Sequence, residues 1–267
     1  MPFVKTVLFL FLPALLSAAA SFDHQPWDGV LKASVSPIGE VDYAALKGNK
    51  TLASYVDTLR LASPDNRKDL FPTREGELAY WINAYNALCT WGVAKAYPIK
   101  SVRELGVLFG FFRRKEYVLG GRTLSLQELE NEIIRKRFRE PRIHFAIVCA
   151  SLSCPQLSRE AYTSENLETQ LDFQTRRYFA ETRNLDVAAD GKGVLLAAIL
   201  DWYREDFGAA KPALLEYVRR HAPAARQKQL DGLTKPRLIF RDYDWSLNDP
   251  GSRARARTPE ERELARP

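Results

Sequence analysis

Apolar residues recur at helical spacing along most of the chain. After Asn49, a residue type that often caps helices, they repeat with this spacing as far as Leu61. A longer helix is predicted from Thr73 to Ala96, and its middle, residues 79–88, is apolar on nearly every side. Because a helix that is apolar all round has no face for water, we expect this one at the centre of the molecule.

Further helices are predicted on both sides of this central one. The first runs from Trp27 to Val35. A capping box formed by Ser125 and Glu128 opens another, which reaches about Phe138. The remaining helices are predicted in the second half of the chain, at residues 164–182, at residues 198–207 and twice before Gly232.

Few segments have the pattern of a strand. Residues 116–124 predict a hairpin around Gly120-Gly121, and a second hairpin is predicted to turn at Asp190-Gly191. Ile143–Cys149 is short, apolar on both faces and rich in branched and aromatic residues, which favours an interior strand. With a last strand at Arg237–Phe240, the pattern predicts an α+β fold. We expect a single domain over residues 21–251, with a small β-sheet in a helical shell.

Both ends of the chain differ in composition from this domain. An apolar run from Thr6 to Leu16 is too short to span about 30 Å of hydrocarbon. Small residues follow as far as Ala20, so residues 1–20 are predicted to be a signal peptide. Residues 252–267 lack an apolar face and are predicted to be a disordered tail. The mature protein is therefore expected to be exported, periplasmic or extracellular, with no stable membrane span after cleavage.

Composition narrows the classes of function. Among 267 residues, 39 basic and 33 acidic side chains give a formal net charge of +6. These charges form no basic stripe interleaved with aromatic residues, so no nucleic-acid partner is expected. Three cysteines are too few for a disulfide-rich scaffold. Of the three histidines, His24 and His221 are expected to be solvated, so His144 is the candidate for a site.

One short segment, residues 142–155, brings together His144, Cys149 and Cys154. Side chains of a strand alternate between faces, so His144 and Cys149, five residues apart, are expected on opposite faces. Cys154 follows a turn and can lie beside either of them. Beside Cys149 it would close a disulfide. Beside His144 it would form a thiolate–imidazolium pair, because a neighbouring imidazolium favours ionisation of a thiol.

These alternatives predict different functions. Cys154 as a nucleophile, with His144 as base and Asn83 or Glu130 as the orienting group, predicts a thiol-dependent acyl transferase or hydrolase. A Cys149–Cys154 bridge predicts either a non-catalytic binding or scaffold domain, or a thiol–disulfide exchange protein. Asn83 lies on the central helix, so its amide is expected to be buried and hydrogen-bonded.

No cofactor and no metal site are expected. His144, Cys149 and Cys154 offer only three metal ligands, and the strand geometry separates two of them. The sequence also lacks a phosphate-binding loop and a dinucleotide-binding fingerprint. The partner expected under either class of function is a small molecule or a peptide.

Four ordered motifs resemble the domain of unknown function 547. The resemblance covers about residues 70–208, and residues 243–245 are similar to the family's ending as well. The motifs are, in chain order, Ala79–Ala87 (AYWINAYNA), Gly120-Gly121 with Leu124-Ser125-Leu126 and Glu130, Arg142–Ala146 with Cys149 and Ser153-Cys154-Pro155, and Trp202–Phe207 (WYREDF). The family often has a histidine directly after the glutamate matched by Glu130, whereas this chain has Asn131.

The resemblance implies no settled biochemical activity. Some relatives join this domain to glutaredoxin-like modules, which suggests thiol chemistry. Plant members carry a leucine-zipper segment, which suggests scaffolding. Neither module is recognised in these 267 residues, so the resemblance leaves the same alternatives open.

Overall fold

The computed structural model describes residues 21–252, which form a helix-rich α+β structure, as predicted. The α-helices in these residues are α1 Gln25–Ser34, α2 Tyr43–Leu46, α3 Lys50–Leu61, α4 Arg74–Ala96, α5 Gly110–Arg113, α6 Leu126–Glu128, α7 Leu167–Ala180, α8 Ile199–Trp202, α9 Lys211–His221 and α10 Ala224–Asp231. A π-helix, Leu129–Phe138, continues α6. Short 3₁₀ helices lie at Lys68–Leu70, Val102–Leu105, Val107–Phe109, Pro141–Phe145 and Arg204–Phe207.

Two small sheets accompany these helices. The hairpin of β1 (Tyr117–Leu119) and β2 (Arg122–Leu124) is antiparallel. The second sheet has the order β3 (Leu185–Val187), β4 (Gly193–Leu196), β5 (Arg237–Phe240), with β3 antiparallel and β5 parallel to β4. Both predicted hairpins and the last strand are therefore confirmed.

Helix α4 lies at the centre, as its pattern predicts. Every residue from 78 to 90 is buried, and Thr73 caps the helix by accepting a hydrogen bond from Gly76 N–H. Three of the buried residues are polar, and two of these are three apart, so they share one face of the helix. These residues, Asn83 and Asn86, bind the backbone of two segments that pack on that face.

The side-chain amides of Asn83 and Asn86 each form one donated and one accepted hydrogen bond, with two different segments of the backbone. The Asn83 amide donates to Tyr162 O at 2.8 Å and accepts from Tyr162 N–H at 3.0 Å. The Asn86 amide donates to Ala146 O and accepts from Val148 N–H, both at 2.9 Å. The expectation that Asn83 is buried and bonded is confirmed. Both contacts tie loops on the α4 face to the centre of the molecule.

The interior strand predicted at Ile143–Cys149 is wrong. Residues Pro141–Phe145 form a 3₁₀ helix, which begins where the Glu140 carboxylate accepts a hydrogen bond from Arg142 N–H. Residues 146–149 pair with no strand within the described chain; instead the Asn86 amide binds Ala146 O and Val148 N–H. Because a short apolar run is equally suited to a buried helix, periodicity alone could not separate the two. The expectation that His144 and Cys149 lie on opposite faces of a strand is therefore wrong as well.

Other differences are smaller. Helix α7 begins at Leu167, a few residues after the predicted start at 164, and the side chain of Asn166 before it makes no capping hydrogen bond. His24 is only partly solvated: its Nδ1 lies 2.7 Å from Tyr55 Oη, and its ring packs near Phe22 and Tyr80. The predicted signal peptide, residues 1–20, lies outside the described residues, and so does the predicted tail, residues 252–267, except for Ser252, which is buried. Between residues 21 and 252, no helix combines the length and the apolar character needed to cross a membrane.

Candidate functional site

Cys149 and Cys154 are joined by a disulfide at the end of the segment that α4 holds in place. The loop between them turns tightly, with Ala150 in the left-handed region at φ 63° and Cys154 N–H donating to Ser151 O at 3.1 Å. Cys154 is buried, with 3% of its surface exposed, whereas Cys149 is partly exposed. The two sulfurs of one bridge therefore differ in access.

Hydrogen-bond donors surround the Cys154 sulfur. The backbone N–H of Cys149 donates to Cys154 Sγ at 3.0 Å. Tyr243 Oη lies 3.1 Å from Cys154 Sγ and 3.0 Å from Cys149 Sγ, and since a disulfide carries no hydrogen, the phenol is the donor. Ser151 Oγ lies 2.8 Å from Tyr243 Oη and 3.4 Å from Cys154 Sγ. Burial raises the pKa of Tyr243, so its phenol keeps the proton that it donates.

The segment after β5 brings Tyr243 to the disulfide. Its backbone pairs with the cysteine loop through Leu152 N–H to Ser246 O at 2.8 Å and Ser153 N–H to Asp244 O at 3.2 Å. On the other side, the guanidinium of Arg183 donates to Leu152 O and to Cys154 O. The loop is thus held from two directions by residues far away in sequence.

A cavity of about 200 Å³ opens beside the disulfide. Its lining combines both cysteines, one carboxylate, one histidine, one arginine and seven aromatic side chains. The lining residues are Tyr85, Phe109, Phe112, Arg113, Gln127, Glu130, Asn131, His144, Ile147, Cys149, Cys154, Pro155, Ile199, Trp202, Tyr203, Tyr243 and Trp245. A concave apolar site with a few polar groups is the usual form of a small-molecule site.

His144 lies in this lining, held from behind by a carboxylate. Its Nε2 lies 2.6 Å from Asp206 Oδ2, and its ring stacks on Tyr203 with 4.0 Å between the ring centres. Arg135 binds both oxygens of Asp206, at 2.7 and 3.0 Å. Burial opposes ionisation of Asp206, but the hydrogen bonds from His144 and Arg135 outweigh it and hold the pKa of that carboxyl well below its usual range.

Glu130 is a buried carboxylate in the same lining, with 9% of its surface exposed. Tyr85 Oη donates to it at 3.4 Å. Burial raises the pKa of Tyr203, and the neighbouring Glu130 raises it further, which places this carboxylate against a second phenol. The π-helix carries Glu130 and Arg135, and so contributes to both polar groups of the site.

The predicted site residues are only partly brought together. Cys154, His144 and Glu130 line one cavity, but within residues 21–252 no hydrogen bond joins His144 to either cysteine. Asn83 is not in the lining and binds the backbone of Tyr162 instead, so its position is that of a structural residue and not of an orienting group. The orienting contact to His144 comes from Asp206.

Sequence reasoning missed Asp206 and Tyr243 as members of the site. Both lie in segments noted for their resemblance, residues 202–207 and 243–245, and that was the available signal. Their partners are distant: 62 residues separate His144 from Asp206, and 89 separate Cys154 from Tyr243. Spacing along the chain could not reveal such pairs. Among the described residues, no three His, Cys, Asp or Glu side chains are grouped to hold a metal ion.

Comparison with known proteins gives a family match for part of the chain but no activity. Residues 71–179 match the model of the family described as "Protein of unknown function, DUF547". No curated protein and no solved structure matches the chain. The matched segment contains α4, the π-helix and the Cys149–Cys154 loop, whereas Asp206 and Tyr243 follow it. Residues 71–179 are therefore similar to the DUF547 family of proteins of unknown function, and this match supports an assignment to that family.

Proposed function

We propose that Cys149 and Cys154 carry out thiol–disulfide exchange in this cavity. The observation that carries the proposal is the pair of donors on Cys154 Sγ, the Cys149 N–H and the Tyr243 phenol, which itself accepts from Ser151 Oγ at 2.8 Å. A disulfide sulfur is a weak acceptor and gains little from them. A thiolate gains much more, because hydrogen bonds to the charged form of a group favour that form.

The difference in access assigns a role to each sulfur. In the proposed reaction an external thiolate attacks Cys149 Sγ, because Cys149 is partly exposed and Cys154 is buried. A bond forms between the external sulfur and Cys149, the Cys149–Cys154 bond breaks, and its electron pair goes to Cys154. The Cys149 N–H and the Tyr243 phenol then stabilise the departing thiolate.

A second thiolate completes the exchange. If the external molecule is a dithiol, its second sulfur displaces Cys149 from the mixed disulfide, and the molecule leaves as a disulfide. The protein is left with two reduced cysteines, which take up protons from water. In the reverse direction the reduced pair reduces a substrate disulfide and becomes oxidised again, so electrons balance in both directions.

The proposed compartment fits this chemistry. We keep the proposal, made from residues 1–20, that the protein is exported to the periplasm or the extracellular space. Disulfides persist in such oxidising compartments, so the bridged form would be the resting form. A small thiol or a cysteine-containing peptide is then the class of partner.

The exchange proposal predicts the effect of Tyr243→Phe. This change removes one donor from the leaving sulfur, so the rate at which dithiothreitol opens the bridge in the folded protein should fall about fivefold or more. Tyr217→Phe is the matched control, because its hydroxyl has no hydrogen-bond partner within residues 21–252. Stopped aliquots with alkylation and mass analysis give the rate. A Tyr243→Phe rate equal to that of the wild type would refute the proposed role of the donors.

One observation favours a second candidate function, thiol-dependent acyl transfer or hydrolysis by the reduced form. The contact between His144 Nε2 and Asp206 resembles a base held by its orienting carboxylate, and Cys154 lines the same cavity. In the bridged form Cys154 has no thiol to act as nucleophile. Acyl transfer therefore requires prior reduction, and a burst of acylation that depends on both reduction and His144 would support it.

A further inference from the structure

Glu130 is a buried carboxylate that no cation within residues 21–252 neutralises by direct contact. It lines the cavity with 9% of its surface exposed, and no ion pair in these residues includes it. Its polar neighbours are neutral phenols: Tyr85 donates to it at 3.4 Å, and Tyr203 lies beside it. Burying an ionised carboxylate without a paired cation is costly, so the site favours a positive group brought by a ligand.

The neighbouring cation of the protein is already engaged. Arg135 lies close enough to respond to the charge of Glu130, but its guanidinium binds Asp206 through two nitrogens and Asn131 Oδ1 through the third, at 2.7 Å. The one arginine of the lining, Arg113, is exposed, whereas Glu130 is buried. Neither side chain therefore serves as the counter-ion of Glu130.

Aromatic side chains form most of the wall around this carboxylate. Tyr85, Trp202, Tyr203, Tyr243 and Trp245 all line the cavity, and Trp202 and Trp245 stack with an angle of 17° between their planes. Rings of this kind attract organic cations through their negative faces, and Trp and Tyr are among the most effective. A carboxylate and several such rings around a small cavity are the elements of a site for an alkylammonium group.

We propose that the cavity binds an organic ammonium group, with Glu130 as its counter-ion and the aromatic side chains as its walls. The cavity volume of about 200 Å³ admits a small head group such as trimethylammonium. The site adjoins the disulfide, so the proposal names the ligand class of the same cavity. It does not require exchange, because Glu130 and the rings are in place while the bridge is closed.

The test compares a cation with its neutral isostere on the oxidised full chain. Choline and 3,3-dimethylbutan-1-ol have the same shape, and differ in a positively charged nitrogen in place of a carbon. Binding is followed by the fluorescence of Trp202 and Trp245, which line the cavity, and by calorimetry at constant ionic strength. We expect choline to bind about tenfold more tightly than the alcohol, or more.

Two glutamine variants on one helix assign the preference to Glu130. E130Q should remove the preference for choline and leave the affinity for the alcohol nearly unchanged. E132Q removes the same charge from the same π-helix at an exposed position paired with Lys136, and should keep the preference. Circular dichroism establishes that each variant is folded.

Three outcomes would overturn the proposal: no choline binding, equal affinity of the wild type for choline and the alcohol, or a preference that persists in E130Q. The wild-type comparison needs no variant, so it decides the question even if E130Q fails to fold. All three outcomes are measured with the bridge closed and without any thiol. A failure here is therefore distinct from a failure of the exchange reaction.

Discussion

At the scale of single residues, the side chains of two asparagines form the hydrogen bonds to backbone groups that a neighbouring strand would form in a sheet. Asn83 pairs with both backbone groups of Tyr162, and Asn86 binds Ala146 O and Val148 N–H. Each side-chain amide offers a donor and an acceptor in the arrangement of a peptide group. Asn86 thereby fixes the residues immediately before Cys149, and connects the central helix to the site.

Replacement of Asn83 by leucine should therefore destabilise the protein. The change conserves volume but leaves the buried Tyr162 N–H and C=O without partners, at a cost of roughly 1–3 kcal/mol for each group left unpaired. Urea unfolding followed by circular dichroism measures the loss. Asn166→Leu is the control, since Asn166 is exposed and its side chain caps nothing, and it should change stability by less than about 0.5 kcal/mol. Equal midpoints for the two variants would contradict the structural role of Asn83.

The sequence predicts the burial of these residues, but not their hydrogen-bond partners. The burial of Asn83 follows from its apolar neighbours on α4, and so does its need for partners. The identity of the partner does not follow, because Tyr162 lies 79 residues away. The same limit applies to Asp206, which is typical of a surface residue in sequence but binds His144 in the fold.

At the scale of elements, helices were predicted better than strands. Helices α3 and α4 carry caps at Asn49 and Thr73 that can be recognised from the residue type, and both caps accept the expected backbone hydrogen bonds. Ile143–Cys149 has no such unambiguous signal, because its apolar run is compatible with a strand or with a buried helix. Pro141 suits the first turn of a helix, and in retrospect it favours the observed 3₁₀ helix.

Helix α1 supplies a prediction about pH. Burial lowers the pKa of His24, just before this helix, from its usual 6.5 to about 4, against a smaller opposing effect of Asp23. Between pH 4 and 6.5 the unfolded chain binds a proton at His24 and the folded protein does not. The free energy of unfolding therefore has no loss from this group above pH 6.5, and it falls as the pH is lowered through this range. The slope from this group is at most about 1.4 kcal/mol per pH unit.

His24→Gln should remove that dependence. We expect the free energy of unfolding of the variant, measured in urea at intervals from pH 4 to 7.5, to fall less steeply on acidification than that of the wild type. The difference between the two proteins should be constant above pH 6.5 and should shrink below it. Parallel curves over the whole range would mean that His24 is protonated equally in the folded and unfolded states.

At the scale of the whole molecule, the site lies where two apolar clusters meet. One cluster surrounds α4 and includes Ile147 and Cys154, and the other includes Phe145 and the β3–β5 sheet. Tyr243 packs against both. The cavity therefore takes its lining from distant parts of the chain, and composition or local pattern could not have indicated it. If both clusters unfold in one cooperative transition, residues 21–251 form the single domain that we propose.

Exchange at this site requires the Cys149–Cys154 bridge to open while the protein remains folded. The most direct measurement treats native protein with dithiothreitol without denaturant, alkylates it and maps the modified cysteines by mass spectrometry. Cys89, buried with 1% of its surface exposed in α4, serves as the internal control for folding. We expect the bridge to open and the partly exposed Cys149 to be alkylated, with Cys89 unmodified. A bridge that opens only under conditions that also expose Cys89 would be a purely structural disulfide, and would contradict the proposed exchange.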